Sequence, residues 1–348
     1  MRVVNVMLNK GLGGVEQAAI DYVSMLLENQ CEVMCIFANK AESEANLLPY
    51  IKDIEFHKIS RIGSRDPIAI LKIRKLIQNF KADIIIAHSN HAGFIAGWAA
   101  KKLVPSIGVS HGYSIKGIKY TDSIICITEH MKNELQKKIL KPIFVLPNIT
   151  YIANNLTIDF QYSMNKIPVI GILGRLHLDK GINTLLQAVR ILKSQGIMVQ
   201  LFIGGDGEEK ENLQKLAYQL SIEKQIKWLG WINDKTKFFS EIDIFCLPSI
   251  KESFGIVLLE AMANLKPIVS TDSCGAREIL SHENDSIIVP INDAEKLAES
   301  IIFLINNPEI VKKYIEGAYK KVQNLYTPAI VGKKLYKILT DITTFPIS

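Results

Sequence analysis

The stretch whose reading decides the fold is Ile244-Phe245-Cys246-Leu247-Pro248, followed shortly by Glu252-Ser253-Phe254-Gly255-Ile256-Val257-Leu258-Leu259-Glu260. The apolar run ending in Pro reads as a buried strand. Apolar residues recur at Ile256, Leu259 and Ala263, which reads as a helix facing a core. A helix N-terminus just after a strand offers free backbone N–H groups and a positive dipole end, which suits an anion. Two carboxylates flank the Phe-Gly turn, Glu252 before it and Glu260 deeper in the helix. Carboxylates this close to an anion site accept hydrogen bonds from hydroxyls rather than meet phosphate. A ligand with phosphate in the middle and polyols at both ends satisfies the pattern, and a nucleotide-sugar is such a ligand.

Outward from this segment the chain alternates short β-branched runs with amphipathic helical runs, which argues for parallel sheets covered by helices on both faces. Strands are expected at 3–8, 32–37, 84–87, 107–110, 123–127 and 143–146. A second series is expected at 169–173, 199–203, 226–229, 244–247, 268–270 and 287–289. At 348 residues the chain is long for one core, and two domains are expected. The polar stretch Pro147–Asn155 between the two series reads as the linker. This gives a first domain over 1–150 and a second over 151–326, with a helical tail over 327–348.

Four segments in order resemble a known family. They are Gly13-Gly14-Val15-Glu16, Ser110-His111-Gly112, Gly174-Arg175-Leu176-His177-Leu178-Asp179-Lys180-Gly181 and the Glu-x7-Glu element with its internal Ser-Phe-Gly. Together they are similar to the signature of retaining family 4 glycosyltransferases, the glycosyl transferases group 1. The resemblance implies an α/β fold of two Rossmann-like parallel-sheet domains facing a central cleft, the GT-B type. It implies an acceptor-side first domain, a donor-binding second domain and a last helix, within Pro328–Ile342, crossing back to the first domain. It also implies transfer of a hexose-type sugar from a UDP- or GDP-linked donor to a glycan or lipid-linked acceptor, with retention at the anomeric carbon. The pathway suggested is lipopolysaccharide or cell-surface polysaccharide biosynthesis. A sugar-nucleotide epimerase of similar architecture, or a non-catalytic nucleotide-sugar binding module, would carry much the same donor site.

The residues of each loop can be read chemically. One guanidinium and one ammonium in a short loop, Arg175 and Lys180, can neutralise a diphosphate, Arg as a planar fork and Lys as a point charge. Stabilising the leaving nucleoside diphosphate is the main catalytic task in such a transfer. By the resemblance, Glu252 contacts the sugar hydroxyls and Glu260 the ribose. The backbone of Phe254, Gly255, Ile256 and Val257 meets sugar and phosphates, and His111 lies close to the reacting sugar carbon. Gly14 and Gly174 line the phosphate path. Gly205, in Gly204-Gly205-Asp206-Gly207, fits either a structural turn or a donor contact. The base is expected near Gly230 and Trp231. His88, which ends the strand before His111, is a second candidate for the acceptor. Asp179 reads as the cap of the helix opening at Gly181. The first loop lacks the third glycine of a dinucleotide fingerprint, having Glu16 there, and the second strand ends without an acidic residue for a ribose, which disfavours a dinucleotide. No Asp-x-Asp metal motif is present, so metal independence is expected and no cofactor beyond the donor substrate.

Composition bounds the remaining classes. Hydrophobic residues make up 48% and charged residues 22%, ordinary for a globular enzyme. No apolar run reaches the about 18 residues of a membrane-spanning helix, and Met1–Leu8 reads as a first strand rather than a signal peptide. The five cysteines are scattered in strand-like runs, and even the Cys31/Cys35 pair reads as small core residues. A cytoplasmic protein is expected, peripheral on the cytoplasmic face of the inner membrane. Residues 1–159 hold 19 basic against 14 acidic side chains, the remainder 22 against 21. That excess is too mild for nucleic acid, yet it fits a surface approaching anionic lipid. The basic run 61–81 is the candidate. Asp66 caps and Pro67 opens a helix whose apolar stripe is expected at Ile68, Leu71, Leu76 and Phe80, with Lys72, Arg74 and Lys75 outside it.

Overall fold

A computed structural model of the chain describes residues 1–11, 13–60, 63, 65–153 and 164–344. Leu12 of the first glycine loop, Arg61, Ile62 and Ser64 of the basic run, and the last two residues of the expected linker lie outside the described residues. The chain divides into two compact units, Met1–Ile149 with Tyr326–Ser348, and Thr150–Leu325.

The first unit is built on seven parallel strands: β1 (Arg2–Met7), β2 (Glu32–Ala38), β3 (Ile54–Ile59), β4 (Ile84–His88), β5 (Ser106–Ser110), β6 (Ser123–Cys126) and β7 (Ile143–Val145). Their order is β3-β2-β1-β4-β5-β6-β7. It is covered by α1 (Gly14–Glu28), α2 (Pro67–Phe80), α3 (Ser89–Ala100) and α4 (Glu129–Gln136), together with a helix from the end of the chain. Because strand side chains alternate faces, β1 serves two cores at once. Val3 and Met7 join α1, while Val4 and Val6 join α2 and α3.

The second unit repeats the plan with six parallel strands: β8 (Val169–Leu173), β9 (Gln200–Gly204), β10 (Ile226–Gly230), β11 (Ile244–Leu247), β12 (Ile268–Thr271) and β13 (Ile287–Val289). Their order is β10-β9-β8-β11-β12-β13. Its helices are α5 (Ile182–Ser194), α6 (Lys210–Gln219), α7 (Lys235–Ser240), α8 (Ile256–Ala263), α9 (Cys274–Ile279), α10 (Ala294–Asn306) and α11 (Pro308–Leu325). A last helix, α12 (Pro328–Thr344), belongs to the first unit and packs on α1. The two helices close in at Gly332, where a Cβ would come within 2.8 Å of Asn29 Nδ2 and 3.4 Å of the Met25 carbonyl oxygen.

Two sequence expectations change. β3 is an additional strand at the sheet edge, paired in parallel with β2. Its residues Ile-Glu-Phe-His-Lys-Ile interleave apolar with charged side chains, and only Ile59 is fully buried, so a search for continuous apolar runs passes over it. In α2 the buried stripe is Ala69, Ile73 and Ile77, whereas Ile68 and Leu71 are 59% and 65% exposed. The cap is as read, since Asp66 Oδ1 accepts from the N–H groups of Ile68 and Ala69. Arg74 is not a free surface charge, because its Nη1 donates to the carbonyls of Ala99 and Lys101 at the end of α3.

Each strand order reverses direction once, between β1 and β4 in the first unit and between β8 and β11 in the second. The helices leaving two such strands run to opposite faces, which opens a crevice beyond the strands' carboxyl ends where α/β proteins bind ligands.

Candidate active site

In the second unit the residues of interest gather at that reversal. The chain leaves β8 through Gly174-Arg175 and a short turn, Leu178–Lys180, before α5. Gly181 at the start of α5 has φ +60, and a Cβ there would lie 2.0 Å from the carbonyl oxygen of Pro248. The loop after β8 is therefore pressed against the end of β11. The N–H groups of Ile250 and Lys251 donate to the Asp179 carbonyl, at 2.8 and 3.2 Å. These contacts bring Lys180 to Glu252 across 72 positions of sequence, with Lys180 Nζ donating to Glu252 Oε2 at 2.5 Å. Their side chains are only 24% and 13% exposed. Asp179 is not the cap of α5. That helix starts on Gly181 without a side-chain cap, and His177 Nδ1 instead accepts from the Asp179 N–H at 3.0 Å.

Arg175 stands on the same loop but reaches a different acid, donating to Glu208 Oε2 at 3.1 Å from a side chain 70% exposed. Gly174 lies beside the Lys180 stem, where a Cβ would come within 3.9 Å of Lys180 Cε. Gly205 closes the loop from behind. Its N–H donates to the Gly230 carbonyl, and with φ +124 a Cβ there would lie 1.9 Å from the Gly174 carbonyl oxygen. Only glycine allows that approach.

The signature segment folds as a strand, a turn and a helix. Gly255 is the N-cap of α8 with φ +90 and offers no side chain to the first turn, so the N–H groups of Ile256 and Val257 are left without a side-chain cap. Phe254 is buried, and the backbone of residues 252–254 is pinned from α9, where the Gly275 N–H donates to the Glu252 carbonyl at 2.9 Å. A carboxylate at Glu260 is costly to bury alone, and it is met by Lys235 Nζ from α7.

The first unit places the other candidates at its own reversal. Gly14 is the first residue of α1 and is exposed. Glu16 folds back over this helix start and accepts from Asn9 Nδ2 at 3.0 Å, and Ser89 Oγ donates to Asn9 Oδ1, which ties the loop after β1 to the start of α3. His111 follows β5. Burial pulls its imidazole down to about 4, and its Nε2 is buried without a hydrogen-bond partner. His88, expected to meet an acceptor, is fully buried and hydrogen-bonded to Asn5, so no ligand touches it as it stands.

Sequence reading did not single out Lys235, Glu208, His177 or Asn5 for the contacts they make. Each is ordinary in its own segment, and its relevance arises from a partner brought in by the fold. Among the described residues no cluster of His, Cys, Asp or Glu is placed to hold a metal ion, and no helix is long and apolar enough to cross a membrane.

Two doubly wound units, one carrying paired cations and carboxylates at its strand ends, define a two-domain α/β architecture of the ligand-binding kind. Residues 12–150 match the model of Glycosyltransferase Family 4, and residues 157–321 that of Glycosyl transferases group 1. The chain belongs to this family and is a glycosyltransferase of the GT-B fold. It is 28% identical over 334 residues to the lipopolysaccharide core biosynthesis glycosyltransferase LpsE of Rhizobium meliloti, covering 94% of both chains. Solved structures of similar fold include a glycosyltransferase from Rickettsia africae, with TM-score 0.82, 20% identity and 99% of each chain covered. Another is Anabaena Alr3699/HepE in complex with UDP, with TM-score 0.81 and 18% identity, covering 98% of this chain and 100% of that one.

Proposed function

We propose that this glycosyltransferase moves a hexose-type sugar, with retention, from a UDP- or GDP-linked donor to a glycan or lipid-linked acceptor of lipopolysaccharide or surface polysaccharide. The second unit holds the donor and the first the acceptor. The observation that carries this reading is the Lys180–Glu252 pair at the strand reversal of the second sheet. An ammonium there meets the phosphates, and the carboxylate it releases accepts from the sugar hydroxyls. Arg175 adds a second charge to the diphosphate, and the uncapped N–H groups of Ile256 and Val257 add donors. The backbone of Phe254 and Gly255 borders the sugar, Gly174 and Gly14 leave room for it, Gly205 fixes the course of the Gly174 loop, and Glu260 holds the ribose. His111 approaches the reacting carbon as a neutral imidazole. The cations supply the charge that a divalent metal would otherwise bring, so activity is independent of added metal. The relative LpsE acts in lipopolysaccharide core synthesis and HepE was crystallised with UDP, which favours that pathway and that base.

The acceptor-side unit works at the cytoplasmic face of the inner membrane as a peripheral protein. Support comes from the outer face of α2, where exposed Ile68 and Leu71 stand beside Lys72 and Lys75. Incubation with candidate nucleotide-sugars and lipid-linked glycans tests the activity, with NMR of the product anomeric proton. A product of the donor's own anomeric configuration is expected, formed equally well in excess chelator. Isomerised donor without an acceptor would assign an epimerase instead, and donor binding without turnover a binding module.

A further inference from the structure

At the reversal of the first sheet, two neighbouring strands each turn a polar side chain into a core that is otherwise apolar. Asn5 stands between Val3 and Met7 on the α1 face, and His88 follows Ile84 and Ile86 on the same face. Both are 0% exposed. Asn5 Nδ2 donates to the Ala19 carbonyl of α1 at 2.9 Å, which orients the amide and leaves its Oδ1 facing His88 Nε2 at 2.8 Å. An amide oxygen can only accept, so Nε2 carries the hydrogen and Nδ1 the lone pair. Tyr22 of α1 meets the His88 ring edge-on, with centroids 4.7 Å apart. On another side lies His111, its centroid 6.0 Å away and its plane 24° from parallel. His88 Nδ1 and His111 Nε2 are both buried without a hydrogen-bond partner. No bond joins these two nitrogens, and the face of one ring is what it offers the other. The other titratable neighbours of this cluster are Cys126, at the end of β6 near Tyr22, and Cys35 of β2, which stands beside Asn5.

Leucine would fill the space at 88 without the cost of a buried polar chain. We propose that His88 is a positioning residue for His111: held by Asn5, it presents a fixed flat surface that sets the plane of the His111 ring and keeps that imidazole out of water. The proposal rests on the reading of His111 as the residue beside the reacting sugar carbon. His88 touches no substrate and acts only through its neighbour. Burial lowers the basicity of both rings, and each, if protonated, would oppose protonation of the other, so the pair is neutral at neutral pH.

The test uses His88→Gln and His88→Phe in the full chain. The Gln amide can still donate to Asn5 Oδ1 but offers no ring face, whereas Phe keeps the face and loses the donor. Transfer kinetics and NMR titration of the His111 ring are read together. For His88→Gln, kcat falls about tenfold or more while the donor KM stays within about twofold, and the His111 midpoint climbs from about 4 toward 6.5. His88→Phe retains more of kcat than His88→Gln despite its lower thermal midpoint, an ordering that a merely structural role would reverse. A folded His88→Gln enzyme with unchanged kcat and an unchanged His111 midpoint overturns the proposal. Should neither variant fold, the tautomer decides in the unaltered protein: ¹⁵N shifts placing the His88 proton on Nδ1 would overturn it too. His111→Ala separates the two ideas. Normal transfer by that variant removes the assigned role of His111, whereas lost transfer together with an indifferent His88→Gln removes the positioning alone.

Discussion

At the scale of single residues, the donor loops are held by close backbone approaches and by cations that already have partners. Lys180 with Glu252, Lys235 with Glu260 and Arg175 with Glu208 form three ion pairs in the segments that follow the strands of the second sheet. On the proposed reading, an entering diphosphate would exchange partners with these pairs rather than fill a bare cationic hole. Lys180→Ala is expected to lower kcat/KM by about 10²–10³-fold with an unchanged circular dichroism spectrum, the loss typical of one stabilising donor to a developing charge. A folded variant of normal rate would contradict the assignment. Gly205→Ala tests the backbone side of the same site. Its Cβ would overlap the Gly174 carbonyl oxygen at a φ that favours glycine, so unfolding stability should drop by about 2–3 kcal/mol, measured by urea titration. The cations and carboxylates were legible in the sequence because their chemistry is written in the residue type and its place beside a strand end. Which acid each cation meets was not legible. Lys180 and Glu252 are 72 positions apart, and only the pressing of Gly181 onto Pro248 brings them together.

At the scale of elements, strand and helix alternation was legible wherever a strand is buried on both faces. It failed at β3, an edge strand that carries Glu55 on one face and Lys58 on the other. In α2 apolar residues stand at 68, 70, 71, 73, 76, 77 and 80, nearly all round the helix, and two stripes fit the helical period almost equally. The small side chain of Ala69 belongs to the buried stripe with Ile73 and Ile77, so Ile68 and Leu71 face outward with Lys72 and Lys75. The same face carries the membrane hypothesis to a sharper test. Flotation with anionic liposomes should weaken in Lys72→Glu/Lys75→Glu, each charge being worth about 1 kcal/mol near such a surface. Arg74 must be left alone in that experiment, since it ties α2 to the end of α3. Undiminished flotation would remove the bilayer from this account.

At the scale of the whole molecule, two units repeat one topology, and the sequence foretold this through two series of strands with a polar stretch between them. The first unit buries the His88 imidazole fully and the His111 imidazole in part, and this sets an acid limit on its stability. Their folded-state basicity lies below the ordinary 6.5, with His111 near 4. As pH falls below about 6.5 the unfolded chain binds protons that the folded chain refuses, so stability is lost on acidification and is full above that range. Each histidine should contribute a slope that grows from about 0.7 kcal/mol per pH unit at pH 6.5 toward about 1.4 kcal/mol per pH unit near pH 5. Urea midpoints across that interval measure it, and His111→Gln should flatten the dependence; equal midpoints at pH 7 and pH 5 would refute it. The account as a whole stands on the second unit gripping a nucleoside diphosphate through Lys180 and Glu260. Calorimetric titration of UDP and GDP tests that grip most directly. One of the two should saturate a single site, with Kd raised about 10- to 100-fold in both Lys180→Ala and Glu260→Gln, as expected for losing a charged hydrogen bond. Failure of both nucleotides to bind, or unchanged affinity in the two folded variants, would contradict it.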